Sequence, residues 1–214
     1  MEIRGVITGD IIKSTTVKTE WRETLLNSIR SVADELALLT PLKLEFFRGD
    51  SFQVVVANPE EALKVAVLLR AGLKSKTPQE SKNLWDARIA LGIGDISYSS
   101  DKVVVSDGEA FHYSGWELDE IGKRRLAVRT RWEDVNDELK VSTAFADDII
   151  SGWSFSQAFV IYSALLYQIP QREIAHKINK SAQNVSKLLG AAKENLIRMY
   201  LERYAVLINK YKMI

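Results

Sequence analysis

Leu42-Lys43-Leu44-Glu45-Phe46-Phe47-Arg48-Gly49-Asp50-Ser51-Phe52-Gln53-Val54-Val55-Val56-Ala57 reads as two strand-forming runs joined at Gly49-Asp50. Apolar and β-branched residues fill both runs, and Gly-Asp at such a join marks a tight hairpin, because glycine accepts the positive φ of a two-residue turn. Upstream, Ile3 to Thr8 is a short β-branched run closed by Gly9-Asp10, which predicts a buried strand ending at a turn. Between them Trp21, Leu25, Ile29, Val32, Leu36 and Leu39 recur every three or four residues, one apolar face of a helix. Downstream, Pro59 and Glu60 open a second helix with Ala62, Val65, Ala66, Leu69 and Leu73 on one side. Ala87 to Ile96 is a further strand, Gly108 to Ile121 a helix capped by Asp107, and Arg125 to Thr130 a short strand. The order strand–helix–strand–strand–helix–strand, plus an extra helix and strand, predicts an α+β fold: a ferredoxin-like βαββαβ sheet with its helices on one face. In such a sheet the first strand pairs with the third. Asp10 and Asp50 then become neighbours at one end of the sheet.

Composition bounds the chemistry. With 214 residues, 46% hydrophobic and 27% charged, the chain has the make-up of an ordinary globular protein. The absence of cysteine excludes disulfides, thiolate metal sites and thiol nucleophiles, and two scattered histidines lack zinc-ligand spacing. Neither a leader peptide nor an apolar run of membrane-spanning length is read, so the expectation is a cytoplasmic protein with no membrane partner. The net charge of +1 conceals a split. Residues 1–150 carry 20 Lys and Arg against 25 Asp and Glu, net −5; residues 151–214 carry 9 against 3, net +6. The change falls near Asp147-Asp148-Ile149-Ile150-Ser151-Gly152-Trp153, where the pattern turns wholly helical. Two domains are expected: an acidic α+β domain over 1–150 and a basic helical domain over 151–214.

Two carboxylates a few ångströms apart at strand ends share a proton, take a basic partner, or hold a hard cation. Magnesium suits one or two carboxylates with water and phosphate oxygens completing its shell, so Asp10 and Asp50 are candidate metal ligands. The competing reading makes them turn formers. The backbone amides of Ile11, Ile12 and Lys13, where the chain leaves the first strand, are candidates to cradle a phosphate. Gly92 and Gly94 lack the further glycine of a dinucleotide fingerprint and indicate close backbone approach to a strand.

In the basic part, Phe155, Phe159, Tyr162 and Leu166 form one stripe before Pro170. A short helix, Gln171 to Ile178, follows, then a turn at Asn179-Lys180, then a helix with Ser181 as N-cap. Counting Gln171 as position one puts Ala175 at five, Asn179 at nine, Val185 at fifteen and Leu188 at eighteen. A helix-turn-helix wants a small residue, a left-handed turn residue and two apolar residues at those places. The second helix would present Ser181, Gln183, Asn184 and Lys187 to base edges, with Arg172, Lys177 and Lys180 beside the phosphates, and the +6 charge suits DNA as partner. The bland alternative is a packing hairpin. The terminal stretch carries Leu196, Met199, Tyr200, Tyr204, Leu207 and Ile208 at helical spacing, either as cover for the core or as a homodimer contact.

Several blocks resemble a known family. Gly9-Asp10-Ile11-Ile12-Lys13-Ser14, Arg48-Gly49-Asp50-Ser51-Phe52-Gln53, Arg88-Ile89-Ala90-Leu91-Gly92-Ile93-Gly94-Asp95-Ile96 and Asp107-Gly108-Glu109-Ala110-Phe111-His112-Tyr113-Ser114-Gly115 resemble the SatD family of bacterial proteins. More distantly they are similar to the palm-like catalytic domain of class III nucleotidyl cyclases. The segment from Gln171 to Leu188 also looks like the helix-turn-helix of the SatD family and of sigma-factor region 4. The resemblance implies a DNA-binding regulator whose palm-like domain carries Asp10 and Asp50 at cyclase metal positions, with a nucleotide as ligand; Arg48, Lys13 or His112 could contact its phosphate in an arrangement other than the cyclases'. Departures accompany it: the purine-reading lysine position is Phe46, and the transition-state positions fall on His112 and Trp116. An apolar ring supplies no cationic stabilisation of developing phosphate charge, so cyclisation is not expected. Two alternatives stay open: a magnesium-dependent nucleotide-processing enzyme, and a non-catalytic module that contacts the transcription machinery.

Overall fold

The computed structural model describes residues 2–98, 103 and 107–213. Strand β1 (Glu2–Ile11) pairs antiparallel with two partners at once, and so occupies the middle of the sheet. With β2 (Leu42–Arg48), β3 (Ser51–Val56) and β4 (Ala87–Tyr98) the order is β2-β3-β1-β4. Past β4 the two-residue β5 (Asp107–Gly108) pairs antiparallel, and β6 (Leu126–Thr130) pairs parallel with β4. The β2–β3 hairpin turns on Gly49 at φ +55°, and a register shift between Phe46 and Arg48 twists its tip.

Alternation along β1 assigns the two faces. Ile7 enters the main core beneath α1 (Thr19–Leu36) and α2 (Ala62–Ser75), whereas Val6 enters a smaller cluster with Ala110 and Phe111 of α3 (Glu109–Glu120). The expectation that the helices cover one face is therefore corrected: α3 lies on the opposite one. Glycine permits it. A Cβ on Gly92 would stand 2.1 Å from the Ala110 carbonyl oxygen and 2.6 Å from the Ser114 nitrogen. Because the obstacles are backbone, Gly92→Ala is expected to lower stability by about 1–3 kcal/mol. Gly115→Ala, inside α3 with nothing within 4 Å, should instead be neutral or gain up to about 1 kcal/mol. Equal effects in denaturant titrations of the two variants would refute this account of the α3 seat. Asp107 does not cap α3 either. It lies in β5 opposite Tyr98, and the N-cap position belongs to Gly108.

Beyond β6 the chain forms α4 (Glu133–Ser151), which the sequence pattern did not reveal. Its inner face is Val135, Leu139, Thr143, Ala146, Asp147 and Ile150, and the two polar members break the apolar period. The helix α5 (Phe155–Leu166) starts in a capping box, with the Ser154 hydroxyl accepting from the Gln157 amide and the Gln157 side chain accepting from the Ser154 amide. It packs on α2, and both helices are buried nearly all round rather than along the single stripes expected of them. Phe155 in particular is exposed. Gly72 lets the Tyr162 ring approach, and Glu35 of α1 accepts hydrogen bonds from Tyr162 (2.9 Å), Tyr167 (2.5 Å) and Lys76 (2.7 Å). Burial alone would raise the Glu35 carboxyl; these donors outweigh it and hold the pKa below its ordinary value. After α6 (Gln171–Lys177) and α7 (Ala182–Ala191), α8 (Glu194–Tyr211) returns to the core. Its buried face is Ile197, Tyr200, Leu201, Tyr204, Leu207 and Ile208, so the stripe read from sequence is corrected at Leu196 and Met199, which are exposed. Tyr204 donates to the Pro59 carbonyl at 2.7 Å. One buried cluster thus runs from Ile7 of β1 to Ile208 of α8, and position 150/151 lies at the end of α4. Among the described residues no helix is long and apolar enough to cross a membrane.

Candidate functional site

The end of β1 meets the hairpin as the pairing of β1 with β3 requires: Asp10 faces Ser51 in register, and the Ile11 amide donates to the Asp50 carbonyl at 3.2 Å. The carboxylates themselves are already engaged. Asp10 stands opposite Arg88 of β4, whose Nε donates to Oδ1 at 2.9 Å and whose Nη2 reaches Oδ2, closing a bidentate fork. Its bond to Asp10 raises the Arg88 pKa further. Asp50 Oδ2 accepts from the Ser14 hydroxyl at 2.5 Å. Among the described residues no group of three or more histidines, aspartates or glutamates is placed to hold a metal ion. A magnesium ion at Asp10 would have to displace a guanidinium, so the donor set does not fit that ion as it stands.

The phosphate candidates lie around the same turn. The amide of Ile11 is taken by Asp50, and that of Ile12 donates to the Asp86 carbonyl at 2.9 Å. Lys13 takes φ 56°, a left-handed backbone that a lysine rarely adopts. Arg48 pairs with Ser51 through its backbone, and its side chain lies outside the described residues. Phe46 packs edge-on to Phe52 and under Arg30, while His112 sits 3.1 Å from Asp107 and Trp116 is 63% exposed. Those three positions offer packing and a surface imidazole.

Sequence reasoning missed Arg88, whose signal is only the β1–β4 register. It also missed a buried charge network behind the turn. Arg70 grips Asp86 through Nε and Nη2, both at 2.9 Å, and Asp147 through Nη1 at 2.8 Å; Lys74 stands 3.1 Å from Asp86. Burial drives the Lys74 pKa below its ordinary value despite Asp86.

The second candidate surface is formed by α6 and α7. Ala175 is buried, α6 packs on α7, the Lys180 amide donates to the Ala175 carbonyl at 2.9 Å, and Asn179 takes φ 50°, the left-handed turn its position requires. The Ser181 hydroxyl accepts from the Asn184 amide, capping α7, so this oxygen is committed locally. Ile174 and Val185 are fully buried and fix the pair to the core. Arg172, Lys177, Lys180, Ser181, Gln183, Asn184 and Lys187 are all exposed. Lys177 leans toward Glu173 (3.9 Å) and the Tyr167 ring (5.5 Å), whereas the side chains of Arg172, Lys180, Gln183, Asn184 and Lys187 have no partner among the described residues.

No family model matches the chain, and no curated relative matches it. Among solved structures it is similar to a bacterial light-regulated adenylyl cyclase, at 14% identity and TM-score 0.46, over 59% of this chain and 75% of that one. It is similar also to the dimeric guanylyl cyclase domain of the RhoGC fusion protein from the aquatic fungus Blastocladiella emersonii (19%, TM-score 0.46, 56% and 74%). The guanylyl cyclase Cya2 is a third (14%, TM-score 0.43, 56% and 70%). Similarity this distant leaves function to be argued from the residues.

Proposed function

We propose that this chain is a DNA-binding regulator of the SatD type, which reads its site with α7 and carries a degenerate, cyclase-like ferredoxin fold as its sensing or dimerising part. The observation that carries the reading is the geometry of α6 and α7. The left-handed Asn179 and the Ser181 cap aim Gln183, Asn184 and Lys187 outward from the first turns of a helix whose opposite side is held by Val185. In the helix-turn-helix mode those turns enter the major groove, where Gln and Asn pair with adenine and Lys reaches guanine. Arg172 and Lys180 flank it as phosphate contacts, within a segment of net charge +6. The test is selection of bound fragments from genomic DNA. Enrichment of a common sequence supports the reading, and enrichment lost in Gln183→Ala/Asn184→Ala assigns it to α7. Recovery of random fragments, or of a protein complex that persists after nuclease treatment, would replace it with the protein-contact alternative.

A second reading, magnesium-dependent chemistry on a nucleotide at Asp10 and Asp50, is favoured only by the main-chain juxtaposition of Ile11 with Asp50. The Arg88 fork opposes it. If the reading holds, a nucleoside triphosphate is consumed with magnesium and Asp10→Asn abolishes the turnover; retention of activity in that variant removes Asp10 from the chemistry.

A further inference from the structure

A cavity of about 560 Å³ opens beside the turn between β1 and α1, bounded by the end of α2, the segment before β4, Arg125 and Ser151. Neither Asp10 nor Asp50 lines it. We propose that it binds a small aryl phosphate, with the ring against Trp21 and Trp85 and the phosphate at Lys13 and Arg125. Its size is that of a small-molecule site. One wall is aromatic and apolar: Trp21 is half-buried, Trp85 is buried, and Leu84 is left 40% exposed at the rim. The other side is cationic. Asp86, at the floor, is paired with Arg70, Lys74 and Nη1 of Arg125, and Lys18 stands 3.4 Å from Glu20; Glu80 is the other carboxylate of the lining, against Lys13, Lys82 and the half-exposed remainder of the Arg125 guanidinium.

A contiguous cavity of about 290 Å³ shares Ile12, Lys13 and Arg125 and adds Arg88, Lys123 and Arg124, with no carboxylate in its lining. Arg88 is neutralised by Asp10, but the side chains of Lys13, Lys123 and Arg124 have no partner among the described residues. Like charges gathered at a concave surface repel one another and concentrate anions from solution. Several cations around one concavity suit a dianionic phosphate better than a single carboxylate. Lys13 supplies an independent observation. At φ 56° a glycine would sit without strain, yet the position holds a lysine whose side chain lines both cavities. Lys193 takes the same backbone at φ 57° as the N-cap of α8 and lines no described cavity, so what sets Lys13 apart is its place, as an unpartnered cation, at the junction of the two cavities.

Calorimetric titration of the full chain tests the proposal with phenyl phosphate as probe and inorganic phosphate and phenol as its two halves. Phenyl phosphate is expected to bind saturably and at least tenfold more tightly than either half, since ring and phosphate are held together. Lys13→Gly should weaken it at least tenfold while the thermal midpoint of the free protein stays level or rises, which a merely structural lysine would not do. Trp21→Leu should bring phenyl phosphate toward the affinity of inorganic phosphate. The proposal is overturned if inorganic phosphate binds as well as phenyl phosphate, if Lys13→Gly binds like the unaltered chain, or if millimolar phenyl phosphate shows no saturable binding.

Discussion

Asp86→Ala is expected to destabilise the protein by about 3–5 kcal/mol, the effect of stripping one partner from a buried ion network. Asp86 is 3% exposed; it accepts two bonds from Arg70 and one from the Ala87 amide, and it stands 3.1 Å from both Lys74 and Arg125. Without it, the buried Arg70 and Lys74 retain Asp147 and the Ser151 oxygens as their remaining acceptors. Urea titration should show a lower midpoint with an unchanged slope. A shift below about 1 kcal/mol would mean that water reaches these cations and that the network is not truly interior. The same carboxylate sets an acid limit. Burial alone would raise the Asp86 pKa, but the charges of Arg70 and Lys74 outweigh it and hold it below the ordinary value. A carboxylate whose folded pKa is depressed contributes fully above its unfolded value, about 3.9, and loses that contribution as pH falls toward the folded value. Stability should therefore fall as pH drops below about 4, and Asp86→Asn should flatten that limb.

Gln183→Ala/Asn184→Ala is expected to cost about 2–6 kcal/mol on a selected DNA site, about 30-fold to 10⁴-fold in affinity, since each bidentate base contact contributes about 1–3 kcal/mol. Both side chains are exposed, so the loss should come without a change in thermal midpoint. Arg172→Ala and Lys180→Ala should behave differently. Phosphate contacts carry no sequence information, so each should weaken all fragments alike and reduce the salt slope by about 0.9. A uniform loss from the α7 variants, with an unchanged ranking of fragments, would reassign Gln183 and Asn184 to the phosphate backbone.

The parts of this fold that were legible in the sequence are those governed by local chemistry. Gly49-Asp50 announces its hairpin because the turn needs a residue at positive φ, and Asn179 marks the α6–α7 turn for the same reason. The meeting of β1 with the hairpin follows from strand order alone, which sets Asp10, at the end of β1, beside the turn that carries Asp50. What was hidden depends on partners distant in sequence. The Asp10–Arg88 fork exists only in the β1–β4 register, and no spacing rule links residues 78 apart. The position of α3 on the opposite face was foreshadowed by Gly92 and Gly94, which announce close approach without saying from which element. Helix α4 was masked because Thr143 and Asp147 face inward, Asp147 to pair with Arg70 and Thr143 with the Tyr200 hydroxyl at 2.7 Å. The burial of α2 on every side required α5 to be seen packed against it.

Amide hydrogen exchange with and without a selected DNA fragment tests most directly whether α7 is the reading element. On the present account, protection appears across residues 171–191, strongest in the first turns of α7, and vanishes with Gln183→Ala/Asn184→Ala/Lys187→Ala at the same DNA concentration. Bound DNA that leaves these amides unchanged while protecting another surface would contradict it.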